Sequence, residues 1–316
     1  MMDDRTLSLR VAAAPLVATG LRRLHLVAAD GSRLPPAAPG AHITLTLPSP
    51  AGARPLRNSY TLVEADPERG YQLIVRRTDR SRGGSHHIHD RLQPGDTIEA
   101  TVPHNLFALH SQARKHLLIA GGIGITPMLA FVAHLREARA AFELHQIASA
   151  DEAGVFAALL APHPGERIQV HAGRDACDIA ALLAAQPLGT HVYTCGPGAM
   201  MDRIAAVAAE LGWPASHVHR EDFGAAGGEP FTARLARSGI DVAVAGDQTL
   251  LEAIEAAGID TPSLCRGGAC GVCILPLSEG DPEHRDHFLS EAERASGCHI
   301  MPCVSRSRSA TLVLDI

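Results

Sequence analysis

The sequence predicts a multi-domain chain: an antiparallel β-barrel, an α/β domain with a parallel sheet, and a small α+β domain. Three observations predict this order. Short apolar runs of period two, separated by Gly, Pro and Asp, fill the first hundred residues. Strands alternate with helices from about residue 114, and a cysteine-rich segment follows a stretch of small residues at 224–230. The length of 316 residues suits two or three domains.

The first domain is expected over residues 1–109. A short helix is expected over His86–Leu92, and Pro94-Gly95-Asp96 predicts the turn after it. The clearest strand candidates are Ile43–Leu47, Tyr60–Val63, Tyr71–Val75 and Thr97–Ala100. Short strands with regular turns are typical of a barrel or sandwich.

The second domain is expected over residues 110–223, and the third over 231–316 after a linker at 224–230. In the second, the strands and helices expected in turn are His116–Ala120, Met128–Ala138, Leu144–Ala148, Val155–Leu160, Ile168–His171, Ile179–Ala185, Val192–Thr194 and Met200–Leu211. This alternation predicts a parallel sheet. In the third, they are Phe231–Ala236, Asp241–Val244, Leu250–Ala257 and Thr311–Asp315.

The third domain carries four cysteines in a specific pattern. Cys265, Cys270 and Cys273 read C-x4-C-x2-C, and Cys303 follows further on. This is the spacing of a plant-type [2Fe–2S] cluster, in which thiolates hold two irons. A structural zinc site is the alternative, although such sites usually contain two closely spaced cysteine pairs. Cys298 competes with Cys303 as the fourth ligand.

Two glycine turns are expected at the carboxyl edge of the parallel sheet. Gly121, Gly122 and Gly124 precede a helix, and the segment Cys195-Gly196-Pro197 follows the last predicted strand. Backbone N–H groups and a helix N-terminus suit a pyrophosphate at such an edge. The first turn departs from G-x-G-x-x-G because Pro127 stands where the third glycine would be, which favours a different nicotinamide-binding module.

The first domain contains two weaker motifs. Arg57-Asn58-Ser59-Tyr60-Thr61 combines a cation, an aromatic ring and a hydroxyl at a strand start. Arginine suits a phosphate, and tyrosine and threonine suit a flavin ring. Arg82-Gly83-Gly84-Ser85 opens the short helix and offers a second phosphate site.

Composition excludes several classes of function. The net charge of −6 and the lack of a basic tract argue against nucleic-acid binding. No apolar run is long enough for a membrane span, and the N-terminal residues do not resemble a signal peptide. Seven cysteines, four of them in a cluster pattern, favour the reducing cytoplasm over a disulfide framework.

Taken together, these motifs resemble the phthalate dioxygenase reductase family over essentially the whole length. The resemblance also includes Arg220–Phe223 and the segment Met301–Arg306. It implies a flavin barrel, a nicotinamide domain and a β-grasp ferredoxin domain, in that order. It also implies that the fourth cluster ligand is Cys303.

The resemblance implies FMN rather than FAD. Tyr60 and Thr61 would contact the ring system. The family usually has one residue between the arginine and the tyrosine, whereas this chain has two, so Arg57 would reach the phosphate differently. The residues implied to hold the phosphate are Arg57, Arg82, Gly83, Gly84 and Ser85.

Thr126 and Cys195 would face the nicotinamide, and Phe223 would lie over the flavin. With Thr61, these three are the expected catalytic residues. Asp151 and Glu152 follow the second strand of the domain, where they disfavour the 2′-phosphate of NADPH, so NADH is expected, although Arg174 would argue for NADPH. The residues expected to hold NADH are Gly121, Gly122, Gly124, Thr126, Pro127, Asp151, Cys195, Gly196, Pro197 and Phe223.

The expected function is electron transfer from NADH through FMN and the cluster to a Rieske-type non-haem iron oxygenase or demethylase. Docking is expected at the acidic ferredoxin domain, with a monomer as the free form. The alternatives are a stand-alone NADH:acceptor oxidoreductase, the reductase of a diiron hydroxylase and, least in accord with the motifs, a non-enzymatic iron–sulfur scaffold or sensor.

Overall fold

The computed structural model describes residues 6–49, 55–78, 83–163, 165, 167–223 and 227–316. The chain divides into two compact units. The first contains Met1–Leu45, Tyr60–Thr78 and Ser85–Phe223. The second contains Thr46–Ser59, Asp79–Gly84 and Gly224–Ile316.

The N-terminal strands form one nine-stranded sheet. Its main path runs β5-β4-β8-β1-β3-β7-β6, with β2 paired to β3 and β9 to β4. The pairings defined among these strands are antiparallel, as the period-two pattern predicts. The strands are β1 (Thr6–Ala13), β2 (Leu16–Ala18), β3 (Leu21–Ala28), β4 (Ala41–Leu47), β5 (Leu56–Thr61), β6 (Glu64–Asp66), β7 (Gly70–Arg76), β8 (Thr97–Thr101) and β9 (His104–Asn105).

Helix α1 (Gly84–Asp90) is fixed by a buried arginine from β3. Arg22 donates from Nη1 to the carbonyls of Ile88 (2.5 Å) and His89 (2.9 Å), and from Nε to that of Ala14 (2.7 Å). The cation therefore satisfies carbonyls at the end of the helix that lack intrahelical donors.

The central sheet has five parallel strands in the order β12-β11-β10-β13-β14. The strands are buried between helices on both faces, as expected for a parallel α/β sheet. The elements are β10 (Lys115–Gly121), α2 (Ile125–Glu137), β11 (Phe142–Ala148), α3 (Ala150–Leu160), β12 (Ile168–Ala172), α4 (Ile179–Ala184), β13 (Thr190–Cys195), α5 (Gly198–Glu210) and β14 (Val218–Glu221).

Helices α2 and α3 begin three and five residues earlier than the sequence pattern predicts. Helix α2 starts at Ile125, so Pro127 lies in its first turn, where a missing N–H costs no hydrogen bond. Helix α3 starts at Ala150, which places Asp151 and Glu152 at the positive end of its dipole. Among the helices of the described residues, none is long and apolar enough to cross a membrane.

The C-terminal region forms a mixed sheet in the order β16-β15-β21-β17-β19. Strands β15 and β16 form a hairpin, β21 pairs with β15 in parallel, and α6 packs its Leu250 and Ile254 into the core. A capping box of Thr249 and Glu252 starts α6. The elements are β15 (Phe231–Leu235), β16 (Ile240–Val244), α6 (Leu250–Ala256), β17 (Leu275–Glu279), β18 (Pro282–Glu283), α7 (Glu291–Ser296), β19 (His299–Ile300), β20 (Arg306–Ser307) and β21 (Thr311–Leu314).

Candidate functional site

The cysteine loop between α6 and β17 brings its thiols together with that of Cys303. The side chains of Cys273 and Cys303 are buried, and their sulfurs are 3.3 Å apart. Cys265 is also buried, and Cys270 is half-buried. Cys298 is exposed, and its sulfur contacts the carbonyl of Ser296. The fourth cysteine beside the loop is therefore Cys303.

The four thiols form two pairs. Cys270 donates a hydrogen bond to Cys265 and holds its pKa well below the usual range, with help from the N–H groups of Gly267 and Ala269. In the second pair, a shared proton lowers the pKa of Cys273 and raises that of Cys303. Two thiol pairs fit two irons that each take two thiolates.

Glycines let neighbouring segments close against the loop. Gly268 has φ +75°, and a Cβ there would lie 2.8 Å from Val304 Cγ2. Gly271 has φ +74°, and a Cβ there would overlap the ring of Phe288. Only glycine fits both this backbone conformation and this spacing. The loop is thus built around the thiols, which is the form that a [2Fe–2S] cluster requires.

A buried carboxylate holds the segment opposite the loop. Asp286 accepts hydrogen bonds from the N–H groups of Leu289 (2.9 Å) and Phe288 (3.3 Å). The N–H of His287 donates to the carbonyl of Gly268 (2.9 Å). These bonds fix Phe288 beside the cluster loop with 48% of its surface exposed.

The two glycine turns of the parallel sheet meet at its carboxyl edge. Strands β10 and β13 are neighbours, with Ala120 opposite Cys195. A Cβ on Gly196 would lie 2.8 Å from Gly121 Cα, and one on Gly121 would lie 2.6 Å from Pro197 Cδ. A Cβ on Gly124 would collide with the carbonyl of Cys195. Glycines at these positions let the two turns pack backbone to backbone at the sheet edge where open α/β folds bind dinucleotides.

Thr126 and Cys195 lie on these two turns and are both buried. The Thr126 hydroxyl donates to the carbonyl of Ile123 (3.2 Å). Burial, together with the charges of Glu221 and Asp222, raises the pKa of the Cys195 thiol well above its usual range. Cys195 is therefore a neutral thiol and not a nucleophilic thiolate.

The two acidic residues in the first turn of α3, which follows β11, differ in their contacts. Glu152 forms an ion pair with Arg76 of β7 and accepts a hydrogen bond from Ser149 Oγ (3.0 Å). Asp151 is exposed on the same turn. Of the two carboxylates, Asp151 is the more exposed.

The flavin-side motifs lie on β5 and at the start of α1. Gly84 approaches β5 so closely that a Cβ would collide with the side chain of Asn58, and Gly83 has φ +114°. Arg57 is exposed on this strand. The Gly83–Gly84 turn therefore lies against the strand that carries Arg57. Arg82 falls outside the described residues.

The other residues predicted to contact the flavin belong to the first unit. Thr61 is buried at the end of β5, and Tyr60 beside it is half-buried. Ser85 Oγ accepts a hydrogen bond from the N–H of Thr78 (3.4 Å). Phe223, just beyond β14, is 47% exposed.

Within the second unit, strand β5 contacts the cysteine loop. Ser59 Oγ donates to the carbonyl of Cys265 (3.1 Å). Ser59 lies two residues from Arg57, so the motif assigned to the flavin is hydrogen-bonded to the backbone of a cluster cysteine.

Sequence reasoning missed two residues of these sites. The Arg76 guanidinium would lie 3.4 Å from a Cβ on Gly122, so it reaches the first glycine turn. Phe288 covers Gly271 of the cysteine loop. Arg76 ends a strand in Val-Arg-Arg, a weak signal for an anion site, whereas no sequence pattern marks Phe288.

Comparison with known families agrees with this geometry. The model of the 2Fe-2S iron-sulfur cluster binding domain matches residues 233–308. The model of the N-terminal domain of dimethylamine monooxygenase subunit DmmA-like proteins matches residues 96–218.

Three curated relatives match along almost their whole length. The chain is 44% identical to the heme-dependent oxidative N-demethylase beta subunit of Ectopseudomonas mendocina (strain ymp), over 98% of this chain and 99% of that protein. It is 37% identical to the carnitine monooxygenase reductase subunit of Escherichia coli (strain K12), over 100% of both. It is 34% identical to the phthalate dioxygenase reductase of Burkholderia cepacia, over 99% and 98%.

Two solved structures share the fold. Phthalate dioxygenase reductase, described as a modular structure for electron transfer from pyridine nucleotides to [2Fe–2S], superposes with a TM-score of 0.79 at 34% identity, over 99% of this chain and 98% of that one. An intact type IV self-sufficient cytochrome P450 monooxygenase gives a TM-score of 0.70 at 33% identity, over 98% of this chain and 41% of that one.

Proposed function

Since the chain belongs to the phthalate dioxygenase reductase family, we propose that its oxygenase partner removes a methyl group from an amine nitrogen. The chain is an NADH-dependent electron-transfer reductase of an oxygenase or demethylase system, with FMN and a [2Fe–2S] cluster as cofactors. An oxygenase component is its partner. The substrate class and the iron chemistry of that partner are the proposed part.

The similarity to the N-demethylase beta subunit carries this proposal. It has 44% identity over nearly the full length of both proteins. A separate comparison, with the dimethylamine monooxygenase subunit, also names a methylated amine. Both comparisons favour an N-methyl substrate over an aryl ether or an aromatic acid.

When bound, FMN accepts a hydride from NADH and the cluster transfers single electrons onward. We assign the positioning of NADH to the two glycine turns, whose N–H groups meet the pyrophosphate, and to Asp151 at the ribose. Thr126 and Cys195 present a neutral hydroxyl and a neutral thiol beside the nicotinamide. Phe223 covers the place where the nicotinamide enters. Cys265, Cys270, Cys273 and Cys303 are the proposed cluster ligands.

The proposed overall reaction consumes one NADH, one proton and one O2 per methyl group. The amine loses its methyl group as formaldehyde, the nitrogen gains hydrogen, the second oxygen atom leaves as water, and NAD+ is formed. The test combines the holoreductase with its oxygenase partner and with dimethylamine or with vanillate, an aryl methyl ether. The proposal expects formaldehyde equal to the NADH consumed with dimethylamine. Formaldehyde production with vanillate and none with dimethylamine would overturn it.

The iron chemistry of the partner has two candidates. The heme-dependent relative and the cytochrome P450 fusion favour a haem oxygenase. The likeness to phthalate dioxygenase reductase favours a Rieske-type non-haem iron oxygenase. The absorption spectrum of the catalytic subunit separates them, because a haem shows a Soret band that responds to carbon monoxide and a Rieske centre does not.

We also propose that the oxygenase docks on the cluster-bearing region. From residue 230 onward, the sequence has twelve Asp and Glu against seven Arg and no Lys. Phe288 offers an exposed aromatic ring directly over the cysteine loop. An aromatic anchor on a region of net negative charge fits a basic partner surface with an apolar pocket.

Ionic strength tests the charge part of this docking proposal. When the oxygenase concentration is limiting, the rate at which the reductase reduces it should fall as the salt concentration rises. The reason is that the Debye length shortens from about 10 Å at 0.1 M to about 3 Å at 1 M. A rate that does not depend on salt would contradict steering by charge. Reduction of ferricyanide, a small acceptor, is the control for an intact relay.

The free protein is proposed to be a monomer in the reducing cytoplasm. None of the seven cysteines forms a disulfide, and the exposed Cys298 would pair or oxidise in an oxidising compartment. Sedimentation of the holoprotein tests whether it is a monomer. Cell fractionation tests whether it lies in the cytoplasm.

A further inference from the structure

Three side chains of the central domain form a cluster that neither the nucleotide nor the [2Fe–2S] site uses. One ligand atom from each of His145, His171 and Cys177 lies within 4.8 Å of the other two. His145 Nδ1 is 3.0 Å from His171 Nε2, and the two rings are stacked. His145 and Cys177 are buried, and His171 is half-buried.

The sheet register and one turn bring these residues together. His145 lies on β11, and Ile147 of the same strand is opposite His171 on β12. Because side chains alternate along a strand, His145 and His171 project from the same face. Cys177 precedes Asp178, whose carboxylate caps α4 by accepting from the N–H of Ala181 (3.0 Å). The cap fixes the turn so that the thiol reaches the edge of the sheet.

We propose that His145, His171 and Cys177 bind a zinc ion. Two imidazoles and a thiol are ligands for zinc or other late transition metals and not for magnesium or calcium. Ligand atoms around tetrahedral zinc are about 3.3–3.6 Å apart, given Zn–N bonds of about 2.0–2.1 Å and Zn–S bonds of about 2.3 Å. The two histidine nitrogens, 3.0 Å apart, would separate by about 0.3 Å, and the thiol, within 4.8 Å of both, would approach them by about 1.2 Å at most. Water completes the site on the side of half-buried His171.

A carboxylate behind the cluster supports the assignment. Glu143 Oε2 is 3.7 Å from His145 Nε2, on the side of the ring away from His171. Lys115 Nζ holds the same carboxylate through Oε1 at 2.5 Å. A ligating histidine usually gives its second nitrogen to such a carboxylate, which fixes the orientation of its ring. Zinc would thus tie the edge strand β12 to the turn before α4.

Zinc analysis of the holoprotein tests the proposal. The protein is passed over a chelating resin, equilibrated with micromolar Zn2+ and desalted, and iron and zinc are measured together with the zinc X-ray absorption spectrum. We expect one zinc per chain, two irons retained, and a shell of two imidazole nitrogens and one sulfur. Cys177→Ser should remove the sulfur shell and weaken zinc binding at least tenfold, and Cys298→Ser is the matched control.

Three results would overturn the proposal. The first is zinc bound without a sulfur neighbour, which marks adventitious surface binding. The second is zinc with four sulfurs and loss of iron, which places it among the cluster cysteines. The third is less than a tenth of a zinc per chain. The spectrum of the unsubstituted protein decides among these even where Cys177→Ser fails to fold.

Discussion

Replacement of Gly124 by alanine tests the contact between the two glycine turns. Gly124 has helical dihedrals (φ −61°), so alanine is not excluded by backbone conformation. It is excluded by space, because the added Cβ would collide with the Cys195 carbonyl and lie 2.9 Å from Gly196 N, below the 3.0 Å that real Cβ atoms keep. The neighbouring atoms are backbone and cannot swing away, so the turn itself must move.

The size of the effect follows from the cost of overpacking. An extra methyl group in a packed site costs about 1–3 kcal/mol. At about 1.4 kcal/mol per factor of ten, this corresponds to a rise of about 5- to 150-fold in the dissociation constant of NADH if the turn moves out of place. Anaerobic stopped-flow bleaching of the flavin at increasing NADH gives this constant.

The matched control is Gly154→Ala in the same domain. Gly154 lies inside α3, and nothing is within 4 Å of an added Cβ. Alanine there should leave NADH affinity unchanged and stabilise the helix by about 0.5–1 kcal/mol. Folded Gly124→Ala protein that binds NADH as tightly as the unsubstituted protein would refute the role of this turn.

Three further predictions concern the partner, pH and cofactor choice. Phe288→Ala should raise the KM for the oxygenase about tenfold or more, because the interface loses an aromatic anchor. Leu188 is 90% exposed in the central domain, and Leu188→Ala should leave this KM unchanged. Cluster absorbance checks that the cysteine loop is intact in both variants. Burial and the nearby charge of His104 lower the pKa of His42 from 6.5 to about 4. Below pH 6.5 the unfolded chain therefore takes up a proton that the folded chain refuses. Urea titrations should show that the fall in stability between pH 6.5 and 4 is smaller by about 3 kcal/mol in His42→Gln than in the unsubstituted protein. Asp151→Asn should raise kcat/KM for NADPH about tenfold, because it removes a negative charge from the site of the 2′-phosphate. If the ratio of kcat/KM for NADH to kcat/KM for NADPH does not change, this placement of Asp151 is contradicted.

Much of the fold follows from local sequence patterns. The buried runs at β10 and β13 and the glycine turns after them predict a parallel sheet with both turns at one edge, and the structure confirms this. Strand β3 is harder to recognise because Arg22 and Arg23 lie within it. Arg22 is buried only because it caps α1, a contact between residues 66 positions apart that no local pattern contains.

The sites divide in the same way. Cysteine spacing predicts a cluster, and the matching family model confirms the cluster domain. The contact of Phe288 with Gly271 and that of Ser59 with Cys265 depend on tertiary packing, so sequence alone does not reveal them. The same holds for the histidine and cysteine cluster, whose members lie on two strands and a turn.

Anaerobic addition of NADH to three proteins tests the electron relay most directly. Flavin absorbance and the electron paramagnetic resonance of the reduced cluster are recorded for the unsubstituted protein, Cys303→Ser and Cys298→Ser. The relay predicts flavin bleaching in all three, with the cluster signal absent only from Cys303→Ser. A cluster signal that survives Cys303→Ser, or one that forms without flavin bleaching, would contradict it.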